Sequence, residues 1–234
     1  MAYTYVAPPL PSLTRWSTIY ARKRKLSCLR ALEYERLREL EIQGAVLDVG
    51  GGENSLYRDS LPSGIGYDSL NIDPKIAPTF LVEPDGTFPI PADSYGTCLC
   101  LNTLEHIYDA RFVVSEIYRV LAPGGSVHIT VPFIFRIHGH PDDYFRGTPS
   151  WWRETLTRAG FSSIQLHPLV WGRYTSAGSI RGYSGIFGRF RFHLAHFLDL
   201  VYAKLTFPGG GRYSGRRGER ICSVALGYFI TAQK

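Results

Sequence analysis

A short segment beyond the middle of the chain concentrates side chains that can move protons. Residues 133–148 read F-I-F-R-I-H-G-H-P-D-D-Y-F-R-G-T, and the nine residues 138–146 include two histidines, two acids, a tyrosine and an arginine. Histidine accepts a proton near neutral pH, and a neighbouring carboxylate can orient its ring. We therefore expect His138 to act as a general base, oriented by Asp142 or Asp143.

Two alternatives for this segment stay open. In the first, the segment is a loop held by its own hydrogen bonds, with Asp143 paired to Arg146 and Thr148 capping a helix. In the second, His138, His140 and Asp142 bind a divalent cation. Two histidines beside a proline suit Mg²⁺ poorly, because hard cations prefer oxygen ligands, and we therefore predict a site without metal. The predicted substrate-binding residues are His140, Tyr144 and Arg146.

A glycine-rich turn follows an apolar strand earlier in the chain. Residues 46–54 read V-L-D-V-G-G-G-E-N, with Asp48 at the end of the strand. Glycine lacks a Cβ, so the backbone can bend sharply and approach a ligand closely. The carboxylate of Asp48 can meet a cationic or hydroxylated part of a bound nucleoside. A dinucleotide fingerprint needs a third glycine where this chain has Ser55, which argues against NAD.

A second acid follows about 20 residues later, the distance at which a doubly wound sheet places a carboxylate for ribose hydroxyls. The run Ser69–Asp73 (S-L-N-I-D) is short, apolar at its centre and closed by that acid. Asp73 is therefore the predicted ribose ligand. Further strands are expected at 96–102 and at S-V-H-I-T-V-P, separated by a helix at 110–121 that ends in L-A-P-G-G.

The order of these features resembles the class I S-adenosylmethionine (SAM)-dependent methyltransferases of the small, stand-alone kind. The resemblance runs from about Gly44 to Phe161, with a last strand expected at 221–232. It implies an α/β fold with a doubly wound, mostly parallel sheet of seven strands, and SAM as the cofactor. A stretch like H-x-x-P-x-D-Y-x-R-x-T at 138–148 is common in a bacterial subset that resembles sugar and secondary-metabolite methyltransferases.

The resemblance also implies which residues contact the cofactor. The acid-x-Gly-x-Gly loop of the family matches Asp48, Gly50 and Gly52, and it wraps the methionine part of SAM. The Asp-Gly pair of the family matches Asp85 and Gly86, with the carboxylate accepting from the adenine amino group. The cofactor-binding residues that we predict are Asp48, Gly50, Gly51, Gly52, Asn54, Asp73, Asp85, Gly86 and Asn102.

A second candidate base lies in the segment T-L-E-H. In the family this segment lines the sulfonium end of the cofactor, so that His106 competes with His138 for proton removal. Methyl transfer otherwise asks for little more than alignment of the acceptor with the S–CH₃ bond and exclusion of water. The catalytic residues that we predict are His138, His106, Asp143 and Tyr144.

Three functions remain open at this stage. The first is O-methylation of a small hydroxylated acceptor such as a sugar, a glycolipid precursor or a secondary metabolite. The second is methylation of RNA or DNA, which the segment 102–105 (N-T-L-E) disfavours because it lacks an N/D-P-P-Y/F motif. The third is SAM binding without catalysis. Salt dependence would distinguish a polymer-binding protein from an enzyme that acts on small molecules.

Length and composition favour one domain spanning residues 1–234. The chain has 234 residues and 44% hydrophobic residues, enough for a single core. Its N-terminus lacks the charged-then-apolar order of a signal peptide, and no apolar run reaches the ~20 residues that span a bilayer. Cys98 and Cys100 alternate along one strand face and are interpreted as small buried hydrophobes. We expect reduced thiols and a cytoplasmic location.

Charge is distributed unevenly around the net value of +6. A basic, helical N-terminal extension at 1–43, with a helix at 26–42, and a basic helical insertion at 171–220 flank an acidic body. The insertion contains a helix at 187–205 whose apolar stripe comprises Phe190, Leu194, Phe197, Leu198, Val201 and Leu205. We expect an acceptor lid or homodimer packing, with peripheral contact to an anionic membrane through 181–220, or solvation alone, as alternatives.

Overall fold

An eight-stranded sheet with helices on both faces forms the core of the computed structural model, which describes residues 2–20, 26–52, 55–139 and 142–234. Asn54 and His140, two predicted site residues, lie outside this part of the chain. The strands are β1 (Tyr3–Tyr5), β2 (Val46–Val49), β3 (Tyr67–Asn71), β4 (Phe80–Leu81), β5 (Tyr95–Leu101), β6 (Leu121–Pro132), β7 (Ser162–Leu169) and β8 (Gly227–Gln233). The helices are α1 (Leu13–Tyr20), α2 (Cys28–Leu37), α3 (Ala110–Val120), α4 (Pro149–Ala159), α5 (Arg173–Arg181), α6 (Gly188–Thr206) and α7 (Gly215–Cys222).

The strand order is β1-β7-β8-β6-β5-β2-β3-β4, and only β8 runs antiparallel to its neighbours. The doubly wound, mostly parallel sheet is therefore confirmed. The count of seven strands is wrong, because β1 adds an edge strand that pairs with β7 through Tyr3 and Ile164. The extension at 1–43 consequently contains a strand as well as helices. The order reverses between β2 and β5, so their carboxyl ends border the crevice where such folds bind ligands.

The central strand β5 shows why the sheet is covered on both faces. Cys98 and Cys100 are buried against the side on which α3 and α4 pack, as predicted. Leu99 and Leu101 point to the opposite side and are buried with residues of α1 and α2. Successive side chains of a strand alternate between faces, and two covered faces require a continuous apolar run.

Local capping explains several element boundaries. Thr148 accepts a hydrogen bond from the main-chain N–H of Trp151 at the start of α4, and Gly160 ends that helix at a φ of +105°. The cap at Thr148 was among the sequence-based alternatives, and glycine is the usual residue at such a left-handed helix end. The helix predicted at 26–42 is shorter, because α2 ends at Leu37. The last strand predicted at 221–232 begins later, because α7 continues through Cys222.

The insertion before the last strand is helical, as predicted, and consists of α5, α6 and α7 between β7 and β8. In the described residues, each helix is too short or too polar to cross a bilayer. The insertion joins the core through Ile221 and Cys222 of α7 and Tyr202 of α6. Trp171, just before α5, is almost fully buried in the cluster that contains residues of α2. One face of α6 does not join the core.

We predict that Leu99→Ala lowers the free energy of unfolding by about 2–5 kcal/mol, because Leu99 is fully buried and its truncation leaves a cavity. Urea denaturation monitored by circular dichroism measures the change. Leu81→Ala on β4 is the matched control, since Leu81 is 53% exposed and should change stability by less than about 1 kcal/mol. Equal losses in the two variants would contradict the described position of β5.

Candidate active site

The glycine turn after β2 is a tight cradle that excludes side chains. Gly50 adopts a φ of +89°, and a Cβ there would lie 2.1 Å from Oγ1 of Thr103. A Cβ on Gly51 would lie 1.9 Å from Oδ2 of Asp48. The side-chain amide of Asn71 donates to the main-chain oxygen of Gly50 at 2.8 Å and holds the turn from β3. The fold requires glycine at positions 50 and 51, because a Cβ would collide with neighbouring side chains. Such a turn fits the cradle expected for SAM.

Asp48 is fully buried beneath this turn. Its Oδ2 accepts hydrogen bonds from the hydroxyl groups of Tyr57 and Tyr67. Burial raises the pKa of the Asp48 carboxyl, and these hydrogen bonds oppose the shift. The sequence suggested that this carboxylate meets the ligand. In the structure Oδ2 links β2 to Tyr57 and to Tyr67 of β3, and Oδ1 accepts no hydrogen bond from the described residues. The two tyrosines were missed, because aromatic residues in such positions usually indicate only core packing.

Three other predicted cofactor residues lie in two turns beside the crevice. Asp73 follows β3, and its Oδ1 accepts from the main-chain N–H of Lys75 at 2.9 Å. This turn packs against the glycine cradle, since a Cβ on Gly52 would lie 2.9 Å from Ile76. Gly86 donates its N–H to the main-chain oxygen of Glu83 at 2.9 Å. Asp85, in the same turn, is exposed and has a φ of +58°.

Asn102 ends β5 in a left-handed conformation with a φ of +51°. Its side-chain amide donates to Glu33, a fully buried residue of α2. Glu33 also pairs with Arg30, with 3.1 Å between Oε1 and Nη1. The side chain of Asn102 thus links β5 to α2. Arg30 and Glu33 were not among the predicted site residues, although their spacing of three residues on the predicted helix was a usable signal.

Two imidazole rings face each other at the carboxyl ends of β5 and β6. The ring centroids of His106 and His138 lie 5.1 Å apart at an interplanar angle of 76°. The main chain brings them together, because the N–H of Tyr144 donates to the main-chain oxygen of Glu105 at 2.8 Å. Nδ1 of His106 also contacts the main-chain oxygen of Asp142. The structure therefore brings both candidate bases into one site.

The ring of His138 is oriented by the carboxylate of Asp143. Nδ1 of His138 lies 3.3 Å from Oδ2 of Asp143 and 3.2 Å from the main-chain oxygen of Arg136. Arg146 forms a bidentate pair with Asp143, and this pair holds the pKa of the carboxyl well below its usual range. Asp143 therefore contacts both His138 and Arg146, the two partners that the sequence suggested for it. With the Nδ1 proton directed to oxygen acceptors, Nε2 of His138 is the basic nitrogen.

Glu105 places a buried carboxylate beneath the imidazole pair. Its side chain is only 1% exposed, and in the described chain neither carboxylate oxygen accepts a hydrogen bond from another residue. Burial raises the pKa of Glu105 to about 7. Oε1 lies 3.7 Å from Nε2 of His106. Ligand atoms of Glu105, His106 and His138 lie within 4.8 Å of one another, a set that could also hold a transition metal.

Tyr144 closes the site on the outer side. Its hydroxyl donates to Oδ2 of Asp142 at 3.3 Å, and its ring contacts that of Tyr108 with centroids 5.7 Å apart. The carboxylates of Asp142 and, more weakly, Asp85 raise the pKa of the Tyr144 phenol. A cleft of about 250 Å³ opens beside the two tyrosines. Its lining residues are Tyr108, Ala110, Arg111, Tyr144, Phe145 and Trp151.

Solved structures of other proteins share this fold. The [4+2]-cyclase SpnF has a TM-score of 0.53 at 14% identity over 99% of both chains. A SAM-dependent methyltransferase from Archaeoglobus fulgidus has a TM-score of 0.54 at 14% identity, over 94% of this chain and 98% of that one. At such low identity these likenesses show the fold alone.

A third structure is larger than this chain. Haemonchus contortus phosphoethanolamine N-methyltransferase 2, solved with phosphomonomethylethanolamine and S-adenosylhomocysteine, has a TM-score of 0.55 at 14% identity, over 94% of this chain and 57% of that one. No curated protein matches the sequence. The methyltransferase domain family, in contrast, matches residues 20–168, more than half of the chain. The chain therefore belongs to this family and is a SAM-dependent methyltransferase of the class I Rossmann-like fold.

Proposed function

We propose that this protein transfers the methyl group of SAM to a hydroxyl oxygen of a small acceptor. The imidazole pair of His106 and His138 above the buried carboxylate of Glu105 carries the proposal. A hydroxyl acceptor must lose a proton as its oxygen attacks the methyl group, and imidazole is suited to receive it. The pair stands at the carboxyl ends of β5 and β6, next to the glycine cradle.

The cofactor is proposed to bind along the cradle, with Gly50, Gly51 and Gly52 against its methionine part. Asp73 would accept hydrogen bonds from the ribose hydroxyls, and Asp85 from the adenine amino group. Bound SAM supplies an electrophilic methyl group on a positively charged sulfur. The buried carboxylates of the crevice favour a ligand with positive charge, because they have few cationic partners of their own.

His138 is proposed to receive the acceptor proton on Nε2. Asp143 accepts from Nδ1 and stabilises the imidazolium that forms, and Arg146 keeps Asp143 ionised and fixed. His106 is the second imidazole of the site. Its Nδ1 is held by the main-chain oxygen of Asp142, and its Nε2 faces Glu105. A proton on His138 would therefore lie close to the carboxylate of Asp143, and a proton on His106 close to that of Glu105.

The cleft beside Tyr144 is proposed to hold the acceptor. The rings of Tyr108, Tyr144 and Trp151 offer flat apolar faces, and Arg111 offers hydrogen-bond donors at the rim. Aromatic faces with a few polar groups suit a sugar, a glycolipid precursor or a hydroxylated secondary metabolite. Tyr144 is common to the cleft and to the site, which supports a role in positioning the acceptor.

A metal-assisted version of the same reaction has one observation in its favour. Glu105, His106 and His138 form a two-histidine, one-carboxylate set that suits Zn²⁺ or Fe²⁺ better than Mg²⁺. A metal bound by both Nε2 atoms would lower the pKa of the acceptor hydroxyl and leave neither histidine as the base. The two versions differ in their response to chelators.

We expect the protein to bind S-adenosylhomocysteine with micromolar affinity, measured by isothermal titration calorimetry. Asp73→Ala should weaken binding by ~1–3 kcal/mol through loss of charge-assisted hydrogen bonds to ribose. Glu154→Ala, which removes an exposed carboxylate on α4, is the control and should leave the affinity unchanged. Unchanged affinity in Asp73→Ala would place the ribose elsewhere.

We expect His138→Ala to lower kcat by about 10²–10⁴ with little change in SAM affinity, since proton removal is lost and cofactor contacts remain. Turnover is measured with a soluble hydroxylated acceptor found by screening sugars, sugar nucleotides and phenols. His193→Ala, on the surface of α6, is the control with normal turnover. A loss seen in His106→Ala and absent in His138→Ala would move the base to His106.

The same assay decides between the two versions of the mechanism. The base mechanism predicts unchanged turnover after treatment with EDTA. Loss of turnover with EDTA, restored by Zn²⁺ or Fe²⁺, would show that Glu105, His106 and His138 bind a metal.

Glu105 should also make stability depend on pH. Its pKa of about 7 in the folded state lies above the ordinary value of 4.5, so the folded protein loses stability as pH rises from about 4.5 to about 7. Glu105→Gln cannot ionise and should gain up to about 3 kcal/mol over the wild type across that window. Urea denaturation without cofactor at the two limits measures the difference.

Glu154→Gln, at an exposed position, should follow the wild type at both pH values. An identical difference between Glu105→Gln and the wild type at both pH values would mean that the Glu105 carboxylate is paired or hydrated in the folded protein.

A further inference from the structure

The outer face of α6 is apolar where a solvent-facing helix is ordinarily polar. Five of its large apolar side chains are between 38% and 77% exposed: Phe190, Leu194, Phe197, Leu198 and Leu205. Ile186 and Phe187 extend this surface before the helix begins, and they are 97% and 70% exposed. Scattered apolar side chains are normal on protein surfaces, but a contiguous set indicates an interaction site. We call these seven residues the α6 face.

Polar contacts on the inner side of α6 keep this face outward. Asp199 is buried and accepts hydrogen bonds from the main-chain N–H groups of Tyr174 and Thr175 at 2.9 and 2.7 Å, which caps the start of α5. His196 is buried beside Trp171. Turning the α6 face inward would break these contacts and leave the carboxylate of Asp199 unpaired. The apolar stripe of α6 is therefore not packed against the core of its own domain in the described residues.

The charges that flank the apolar stripe on α6 all have one sign. Between residues 172 and 220 the two acids are Asp199 of α6, which is buried, and Glu219 of α7, which is exposed. At about 100° per residue, Arg189 and Lys204 project along one edge of the apolar stripe and Arg191 along the other. Further exposed basic residues of the insertion are Arg173, Arg181, Arg212, Arg216 and Arg217.

We propose that the α6 face docks on the surface of an anionic lipid bilayer, with α6 lying in the plane of the interface. Apolar side chains would enter the boundary between headgroups and acyl chains, while the basic side chains at both edges reach the lipid phosphates. A second copy of the chain fits this face poorly. Packing two such faces together would bring arginines against arginines, with no exposed acid on either face to pair with them.

The connection between α5 and α6 lies next to the segment that follows β6. Gly182, in the connection between α5 and α6, lies beside the guanidinium of Arg136. A Cβ added to Gly182 would lie 3.4 Å from Nη1 of Arg136. Arg136 precedes His138 in the segment that follows β6. The connection that precedes α6 is therefore in contact with the segment that carries His138. The docking itself does not depend on which group the enzyme methylates.

Vesicle flotation with the full chain tests the proposal. We expect binding to vesicles of phosphatidylcholine and phosphatidylglycerol in equal parts, and at least tenfold weaker binding to phosphatidylcholine alone. Phe197→Ser/Leu205→Ser should weaken binding about tenfold or more by removing inserted apolar area. Arg189→Gln/Arg191→Gln should weaken it about tenfold and reduce its dependence on salt.

Matched controls separate the α6 face from general surface properties. Leu81→Ser removes an exposed apolar side chain from β4, and Arg38→Gln/Arg158→Gln removes two exposed charges elsewhere. Both should bind vesicles like the wild type. Circular dichroism and S-adenosylhomocysteine binding verify that every variant is folded.

Three results would overturn the proposal: absence of vesicle binding, equal binding to neutral and anionic vesicles, or equal losses in the controls. A fourth is a dimer in sedimentation velocity, measured without lipid, that Phe197→Ser/Leu205→Ser converts to monomer. That result would assign the α6 face to a second copy of the chain.

Discussion

One main-chain hydrogen bond joins the two loops that form the candidate site, from the N–H of Tyr144 to the oxygen of Glu105 at 2.8 Å. Parallel strands β5 and β6 are neighbours, so the topology already places both loops at one edge of the sheet. The hydrogen bond, with the contact between His106 and the oxygen of Asp142, fixes how the loops face each other. These two contacts place His138 beside His106.

Negative charge is buried around the crevice. Asp48, Glu33 and Glu105 are all nearly or fully buried, and burial raises the pKa of each carboxyl. Hydrogen bonds hold the first two, whereas Glu105 has no such partner in the described chain. Buried carboxylates without full compensation cost stability. The sulfonium of SAM or an imidazolium would supply the missing positive charge. The loss of stability that these carboxylates cause is therefore expected of a site that binds a cation.

Much of the fold could be predicted from the sequence because local signals and topology agreed. The glycine turn after β2, the cap at Thr148 and the stop at Gly160 each require particular residue types at particular positions. The edge strand β1 could not be predicted in this way, since three residues carry no periodic signal and its pairing with β7 is a tertiary contact. The helical pattern of the sequence continues past Leu37, and the length predicted for α2 was therefore too great.

The site could be predicted less completely than the fold. The residues that carry chemistry, His106 and His138, were visible in the sequence, and so was the pairing of Asp143 with Arg146. The contacts of Glu33 with Asn102 and of Tyr67 with Asp48 were not, because they join residues that are 69 and 19 positions apart. The stripe of α6 was also visible, but its direction was not. Hydrophobic periodicity shows that a helix has two faces, and only the contacts of Asp199 show which one is buried.

A crystal structure of the protein with S-adenosylhomocysteine tests the central claim most directly. The account predicts that the homocysteine part lies along Gly50–Gly52, that the ribose contacts Asp73, and that the sulfur faces the gap towards His106 and His138. A sulfur directed away from the two imidazoles, or a ligand bound outside the crevice between β2 and β5, would contradict the proposed catalytic site.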